Sequence, residues 1–142
     1  MARWPDLFCV QESPSGAMMG YIMGKAEGRG KDWHGHVTAI TVSPEYRRLG
    51  LADGMMKLLE EVSEKIYNGY FVDLFVRKSN SVAIGMYKKF GYCVYRCVTG
   101  YYSSGDNHEE DAFDMRKPLS RDVHRESVAG SGEQNIIKPE QL

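Results

Sequence analysis

The sequence predicts an α/β or α+β fold with a mixed sheet, and three observations carry that prediction. Segments 36–42 (HVTAITV) and 70–77 (YFVDLFVR) are rich in β-branched residues or alternate in polarity, as strands do. Between them the period changes. Leu51, Met55, Leu58, Leu59, Val62 and Ile66 recur at steps of three and four, which marks an amphipathic helix. Turn-forming residues separate the segments and leave the order β-β-β-α-β-α-β-β, which one sheet with flanking helices accommodates. A chain of 142 residues supports one domain, burying roughly two-thirds of the surface it exposes when unfolded.

Taken in order, residues 7–10 (LFCV) read as a first strand. Ser13, Pro14, Ser15 and Gly16 make a reversal, and 18–24 (MMGYIMG) is the returning strand of a hairpin. The polar, glycine-rich stretch 25–35 is expected as a loop. The strand 36–42 is broken by Ser43-Pro44. The helix from Leu51 runs about four turns, with Asp53, Lys57, Glu60, Glu61 and Glu64 on its polar face, and Asn68-Gly69 ends it. After the strand 70–77, Asn80 caps a second helix in which Val82, Met86, Tyr87 and Phe90 point inward, and Gly91 closes it. Residues 94–99 and 112–117 are further strands around an acidic loop at 103–111. The domain is expected to span 1–119. Charged and small residues dominate 120–142, expected as a disordered tail.

Composition narrows the function classes. With 42% apolar and 11% aromatic residues, global disorder is excluded. A net charge of −1 and a pI near 6.4 argue against a protein held on nucleic acid through phosphates. No apolar run approaches the ~20 residues of a membrane span, and 1–6 (MARWPD) lacks a signal-peptide core, so neither nucleic acid nor membrane is an expected partner. The cysteines (Cys9, Cys93 and Cys97) are odd in number and sparse, as reduced thiols in a cytoplasmic protein would be.

The most informative segment is 42–52 (VSPEYRRLGLA). A buried strand stops, the chain turns, and a helix begins with the small residues Gly50 and Ala52 in its first turn. A helix start presents unpaired amides and partial positive charge, and Arg47 and Arg48 add to it, so an anion fits there. Neither Gly-Lys-Ser/Thr nor G-x-G-x-x-G is present, which removes the P-loop and dinucleotide readings. On composition alone, an ordinary strand–turn–helix with solvated arginines is an equal reading.

Arg47-x-x-Gly50-x-Ala52 behind VTAITV resembles the acetyl-CoA pyrophosphate motif (R/Q-x-x-G-x-G/A) of the GCN5-related N-acetyltransferase (GNAT) superfamily. Asn80, Ala83, Tyr87 and Gly91-Tyr92 resemble its second signature, at the right distance and on the second helix. Segments 20–28 (GYIMGKAEG), 33–39 (WHGHVTA), 71–77 (FVDLFVR) and 111–117 (DAFDMRK), with Tyr101-Tyr102, resemble the catalytic subunits of N-terminal acetyltransferase B (NatB). The match runs from about Trp4 to Arg121. It implies the GNAT fold, a mixed, mostly antiparallel sheet with flanking helices. NatB catalytic subunits carry a further strand and two helices ahead of the equivalent of Trp4. The chain is therefore expected to be an N-terminally truncated domain with an exposed sheet edge.

The resemblance implies transfer of acetyl from acetyl-CoA to the N-terminal Met of proteins starting Met-Asp, Met-Glu, Met-Asn or Met-Gln. The enzyme would act as catalytic subunit beside a large helical-repeat auxiliary subunit, on nascent polypeptide N-termini at the ribosome. An α-amine with a reference pKa of about 7.7–8.0 must lose a proton before attack. The resemblance makes His36 the base, through a water, and Tyr87 the donor near the CoA sulfur. It makes Asn80 a CoA contact, and the spacing of 80 and 87 puts both on one helix face. Backbone at Ile40 and Val42 would pair with the pantetheine arm, and Arg47, Arg48, Gly50, Leu51 and Ala52 would hold the pyrophosphate. Thr38 and Phe75 would line the substrate channel. Tyr101 and Tyr102 would hold the first substrate residues, with Tyr102 nearer the amine. Adjacent strand residues alternate, so only one of these tyrosines is expected to enter the groove fully. His34 and His36 form an H-x-H pair on one strand face, but no third ligand has convincing spacing and no metal is expected. Three readings stand beside this one: an N-terminal acetyltransferase of another specificity, an inactive acetyl-CoA-binding paralogue or scaffold, and a structural domain that binds no CoA.

Overall fold

The computed structural model of the chain describes residues 6–47, 50–103 and 109–142, with Asp6 and Ser103 as backbone alone. The described residues form two compact units. One runs to Val72 and takes in Leu119–Arg121; the other comprises Asp73–Pro118 and Asp122–Leu142.

In the first unit, β1 (Asp6–Glu12) and β2 (Met18–Glu27) form the predicted antiparallel hairpin, paired from Asp6↔Lys25 to Glu12↔Met18. Ser13 closes its turn, its carbonyl accepting from the Gly16 amide at 2.9 Å and its hydroxyl from the Ala17 amide at 3.1 Å. β2 continues past the predicted end, through Lys25, Ala26 and Glu27. These residues pair with His36, Gly35 and His34 of β3 (His34–Val42), so ladder hydrogen bonding overrides the polar composition that suggested a loop. The register shifts once: Gly24 faces Val37 and Met23 faces Ala39, which leaves Thr38 as the extra residue of a bulge.

Helix α1 (Leu51–Lys65) follows the predicted turn. It packs on β2 and β3 where two glycines leave room. A Cβ on Gly24 would overlap Leu59, and one on Gly35 would overlap the Ser63 hydroxyl. This is why the buried face is Met55, Met56, Leu59 and Ser63, while Ile66, predicted to lie inward, is 69% exposed. Because Gly35 and Val37 face the helix, His34 and His36 face away from it. The strand order is β1-β2-β3-β4, where β4 (Phe71–Arg77) contributes Phe71 and Val72 to a core with Ile22 and Val37.

In the second unit the strand order is β4-β6-β5-β7. β5 (Cys93–Ser103) and β6 (Glu109–Pro118) are antiparallel, and β7 (Ile136–Ile137) runs parallel to β5 at Cys97↔Ile136, so the sheet is mixed as predicted. Helix α2 (Ser81–Lys89) starts where Asn80 Oδ1 accepts from the Ala83 amide at 3.1 Å and stops at Gly91, φ 99°. Its buried stripe is Ile84 and Tyr87; Val82, predicted inward, lies in the first turn and is 84% exposed. Leu74, Val76, Val98, Phe113 and Met115 are buried in this unit, and the buried Asp114 carboxylate accepts from the half-buried Arg96 Nε at 2.8 Å with Arg116 Nη2 at 3.5 Å.

Residues 120–142 differ from the disordered tail that composition suggested. They make short 3-10 turns at Glu126–Val128, Gly132–Gln134 and Pro139–Gln141 besides β7. The Asp122 carboxylate accepts from the amides of Glu126 at 2.9 Å and Ser127 at 3.1 Å, and Cys97 donates to the Asn135 carbonyl at 2.8 Å. Ties of this kind leave no apolar periodicity, which is why the sequence pattern does not show them.

Candidate active site

The expected residues divide between the two units. In the first, Gly50 is the N-cap of α1 in the left-handed conformation (φ 75°, ψ 11°) and accepts from the Gly54 amide at 3.0 Å. The amides of Leu51, Ala52 and Asp53 precede that first intrahelical bond and form the positive end of the helix. Among the described residues no atom lies within 4 Å of where a Gly50 Cβ would sit, so the backbone is open to an incoming group on their side. Arg47 is exposed, its Nε 3.4 Å from the Val42 carbonyl. Arg48 lies outside the described residues. Ile40 and Val42 are half-buried and pair with Ile22 and Gly20, and Thr38 at the bulge is exposed.

His34 and His36 stand on the β3 face that α1 does not cover. His34 is buried and stacks on Phe71, ring centroids 4.4 Å apart at 7°. Its Nδ1 donates to the Asp32 carbonyl at 2.5 Å; a carbonyl can only accept, so that nitrogen carries the proton. A carboxylate completes the group. Glu27 Oε1 lies 3.4 Å from His34 Nε2 and 3.8 Å from His36 Nδ1, while Oε2 meets Lys25 Nζ at 3.3 Å. The expectation that the H-x-H pair has no third ligand-type neighbour is therefore corrected. Glu27 is directly opposite His34 in the ladder, hidden from the sequence reading because 25–35 was read as a loop.

In the second unit, Tyr87 is buried on α2 between Phe90 and Tyr92, at centroid distances of 6.4 and 6.1 Å. Burial, then the neighbouring Tyr102, raises its pKa above the ordinary tyrosine value, so it stays a proton donor throughout the neutral range. Burial also raises Tyr102, whose ring carries the Arg77 guanidinium 4.3 Å from its centroid. Tyr101 stacks on Phe75 at 4.7 Å and meets Tyr102 edge-on at 4.9 Å. Strict alternation would have set the two tyrosines on opposite faces. The ladder slips here instead, with Val98 opposite Ala112 and Tyr102 opposite Glu110, and Gly100 takes φ 60°. Arg77 is itself tied to Glu110 at 3.0 Å, and that carboxylate also accepts from the Ser79 amide and hydroxyl at the start of α2. Asn80 spends Oδ1 on its cap, which leaves its amide nitrogen for a ligand.

This geometry can be set beside known proteins. Residues 1–92 match the model of the acetyltransferase (GNAT) family. N-alpha-acetyltransferase 20 of Dictyostelium discoideum is 62% identical over 128 residues, 90% of this chain and 72% of that protein. The NatB complex catalytic subunit naa20 of Schizosaccharomyces pombe is 61% identical over 139 residues, 96% of this chain and 77% of that one. Among solved structures, Chaetomium thermophilum Naa20 in complex with a bisubstrate analogue superposes with a TM-score of 0.85 at 43% identity, covering 94% of this chain and 76% of that chain. The chain belongs to the NatB catalytic-subunit family of GNAT acetyltransferases.

It is accordingly an acyltransferase of the GNAT fold. Three features of this NatB-type chain escaped the sequence reading: Glu27 beside the histidines, the Arg77–Glu110 pair under Tyr102, and the bulges at Thr38 and Gly100. The first was within reach, because alternation continued through 25–27 pairs Glu27 with His34. The bulges were not, since one or two extra residues in a strand leave no local signature.

Proposed function

We propose that the chain transfers acetyl from acetyl-CoA to the α-amine of an N-terminal methionine followed by Asp, Glu, Asn or Gln, as the catalytic subunit of a NatB complex. The observation that carries this reading is that β3 bears His36 near its start and runs on to Val42, after which the chain leads into the helix that Gly50 caps. His36 and Val42 lie about 20 Å apart along the strand at ~3.3 Å per residue, a length suited to an extended pantetheine arm. The pyrophosphate binds at the amides of Leu51 and Ala52 by the Gly50 helix start, Arg47 and Arg48 supply cationic charge for it, and Asn80 makes a further CoA contact. The arm adds to the backbone of Ile40 and Val42.

His36 takes a proton from the substrate ammonium through a water. The free amine then attacks the thioester carbonyl, the carbon–sulfur bond breaks, and the departing thiolate receives the Tyr87 proton; the attacking nitrogen loses its second proton through water to the Tyr87 phenolate, which restores the phenol. Tyr101 and Tyr102 hold the first substrate residues, with Phe75 and Thr38 lining the channel. The partners are a large helical-repeat auxiliary subunit and nascent N-termini at the ribosome, in the cytoplasm; no helix among the described residues is long and apolar enough to cross a membrane.

The test is co-expression with a NatB auxiliary subunit and transfer to peptides starting Met-Asp, Met-Leu and Ser-Glu. Selective acetylation of Met-Asp is expected. Preference for Ser-Glu would mean another specificity. CoA binding without transfer would mean an inactive paralogue, and no CoA binding would overturn the reading altogether.

A further inference from the structure

We propose that Glu27, His34 and His36 form a binding site for a late first-row divalent cation of the zinc type, and that the ion, when bound, blocks acetyl transfer. The spacing argues for an ion rather than a direct contact. Glu27 Oε1 stands 3.4 and 3.8 Å from the two ring nitrogens, beyond the ~2.7–3.2 Å of a hydrogen bond. Ligands bonded at ~2.0–2.1 Å to a tetrahedral ion lie about 3.3 Å from one another. The donor atoms of the three residues all fall within 4.8 Å of one another.

A second observation is independent of this spacing. His34 donates its Nδ1 proton to the Asp32 carbonyl. In the neutral ring this leaves the lone pair on Nε2, the atom turned toward Glu27. Metal-binding histidines are oriented by this kind of outer hydrogen bond. Stacking on Phe71 and burial fix the ring further. Two imidazoles and one carboxylate suit zinc, with the fourth position left to water. The Lys25 ammonium competes for the carboxylate, but through Oε2, the other oxygen.

The blocking step rests on the role proposed above for His36. An ion on Nδ1 leaves the other ring nitrogen protonated, so the ring has no lone pair with which to accept the amine's proton. Metal binding and acetyl transfer are then mutually exclusive.

The experiment uses the full chain with its auxiliary subunit and no polyhistidine tag, titrated with Co²⁺ alone and followed by visible absorption. One equivalent should bind with ligand-field bands and no thiolate charge-transfer band, and Zn²⁺ should displace it. Glu27→Gln, at a half-exposed position, should weaken binding at least about tenfold with an unchanged circular dichroism spectrum. His34→Gln provides a second ligand deletion should the first variant misfold. A near-ultraviolet thiolate band would put the ion on cysteine and overturn the site, as would unchanged affinity in both folded variants. Zn²⁺ at saturation should abolish Met-Asp acetylation, and a chelator should restore it. Binding without inhibition would overturn the blocking step alone. Absence of transfer in metal-free protein would count against the proposed function, while the Co²⁺ spectrum would still decide the site.

Discussion

Replacing Gly50 separates what the fold asks of this position from what a ligand asks of it. The residue sits at φ 75°, where a side chain other than glycine costs about 1–2 kcal/mol. A Cβ there meets no atom of the described residues within 4 Å, so Gly50→Ala adds backbone strain and no clash with them. At the ~2.1 cal/mol/K per residue of unfolding entropy typical of globular chains, that strain lowers Tm by about 3–7 °C. Gly50→Asn should cost less, because asparagine tolerates the left-handed region. CoA affinity should follow a different order. Either side chain stands between the pyrophosphate and the backbone amides, so both variants should bind CoA at least about tenfold more weakly, ~1.4 kcal/mol. Thermal melts and calorimetric CoA titrations on the two variants give both readouts. If Gly50→Asn restored CoA affinity in step with stability, glycine would be needed only for its φ. If Gly50→Ala bound CoA normally, the anion-turn argument would be wrong.

Gly35→Ala should destabilise by about 1–3 kcal/mol, because its Cβ overlaps the Ser63 hydroxyl and lies 2.8 Å from Ser63 Cβ; a double-mutant cycle with Ser63→Gly should show positive coupling, and zero coupling would move the clash elsewhere. Tyr87→Phe should lower turnover about a hundredfold or more with little change in Tm. The same variant should flatten the alkaline limb of the stability curve. The buried phenol holds its proton above the value of 10.0 at which the unfolded chain releases it, so stability falls as pH rises past 10; an unchanged slope would remove Tyr87 as the cause. His36→Ala should cut turnover by about 10²–10⁴-fold with CoA affinity intact, and a matching loss of CoA affinity in titrations would show that the residue serves binding. Arg96→Met should cost about 1–3 kcal/mol in urea melts, because the buried Asp114 carboxylate loses its 2.8 Å partner but keeps Arg116 Nη2 at 3.5 Å, and Asp114→Asn in the same chain should recover part of it.

Periodicity and turn chemistry were enough to define the two helices, the strand that ends in the anion turn, and the Asn80 cap. Each of these depends on neighbours within a few residues: a three-four apolar step, a proline after a β-branched run, a side chain reaching the third amide beyond it. The Gly50 helix start was legible for the same reason, since it carries its own small residues. What the sequence left open was settled by contacts between distant segments. Ile66 looked inward by period, yet the surface that α1 covers was decided by gaps at Gly24 and Gly35 on β2 and β3. Thr38 and Gly100 became bulges because one strand carries more residues than the partner it pairs with. Glu27 joined the histidines only when ladder hydrogen bonds drew a polar segment into β2. Local patterns fix which elements form. Register, and the groups that register brings together, are fixed by pairing and packing across the chain, where a shift of one residue turns a side chain to the opposite face.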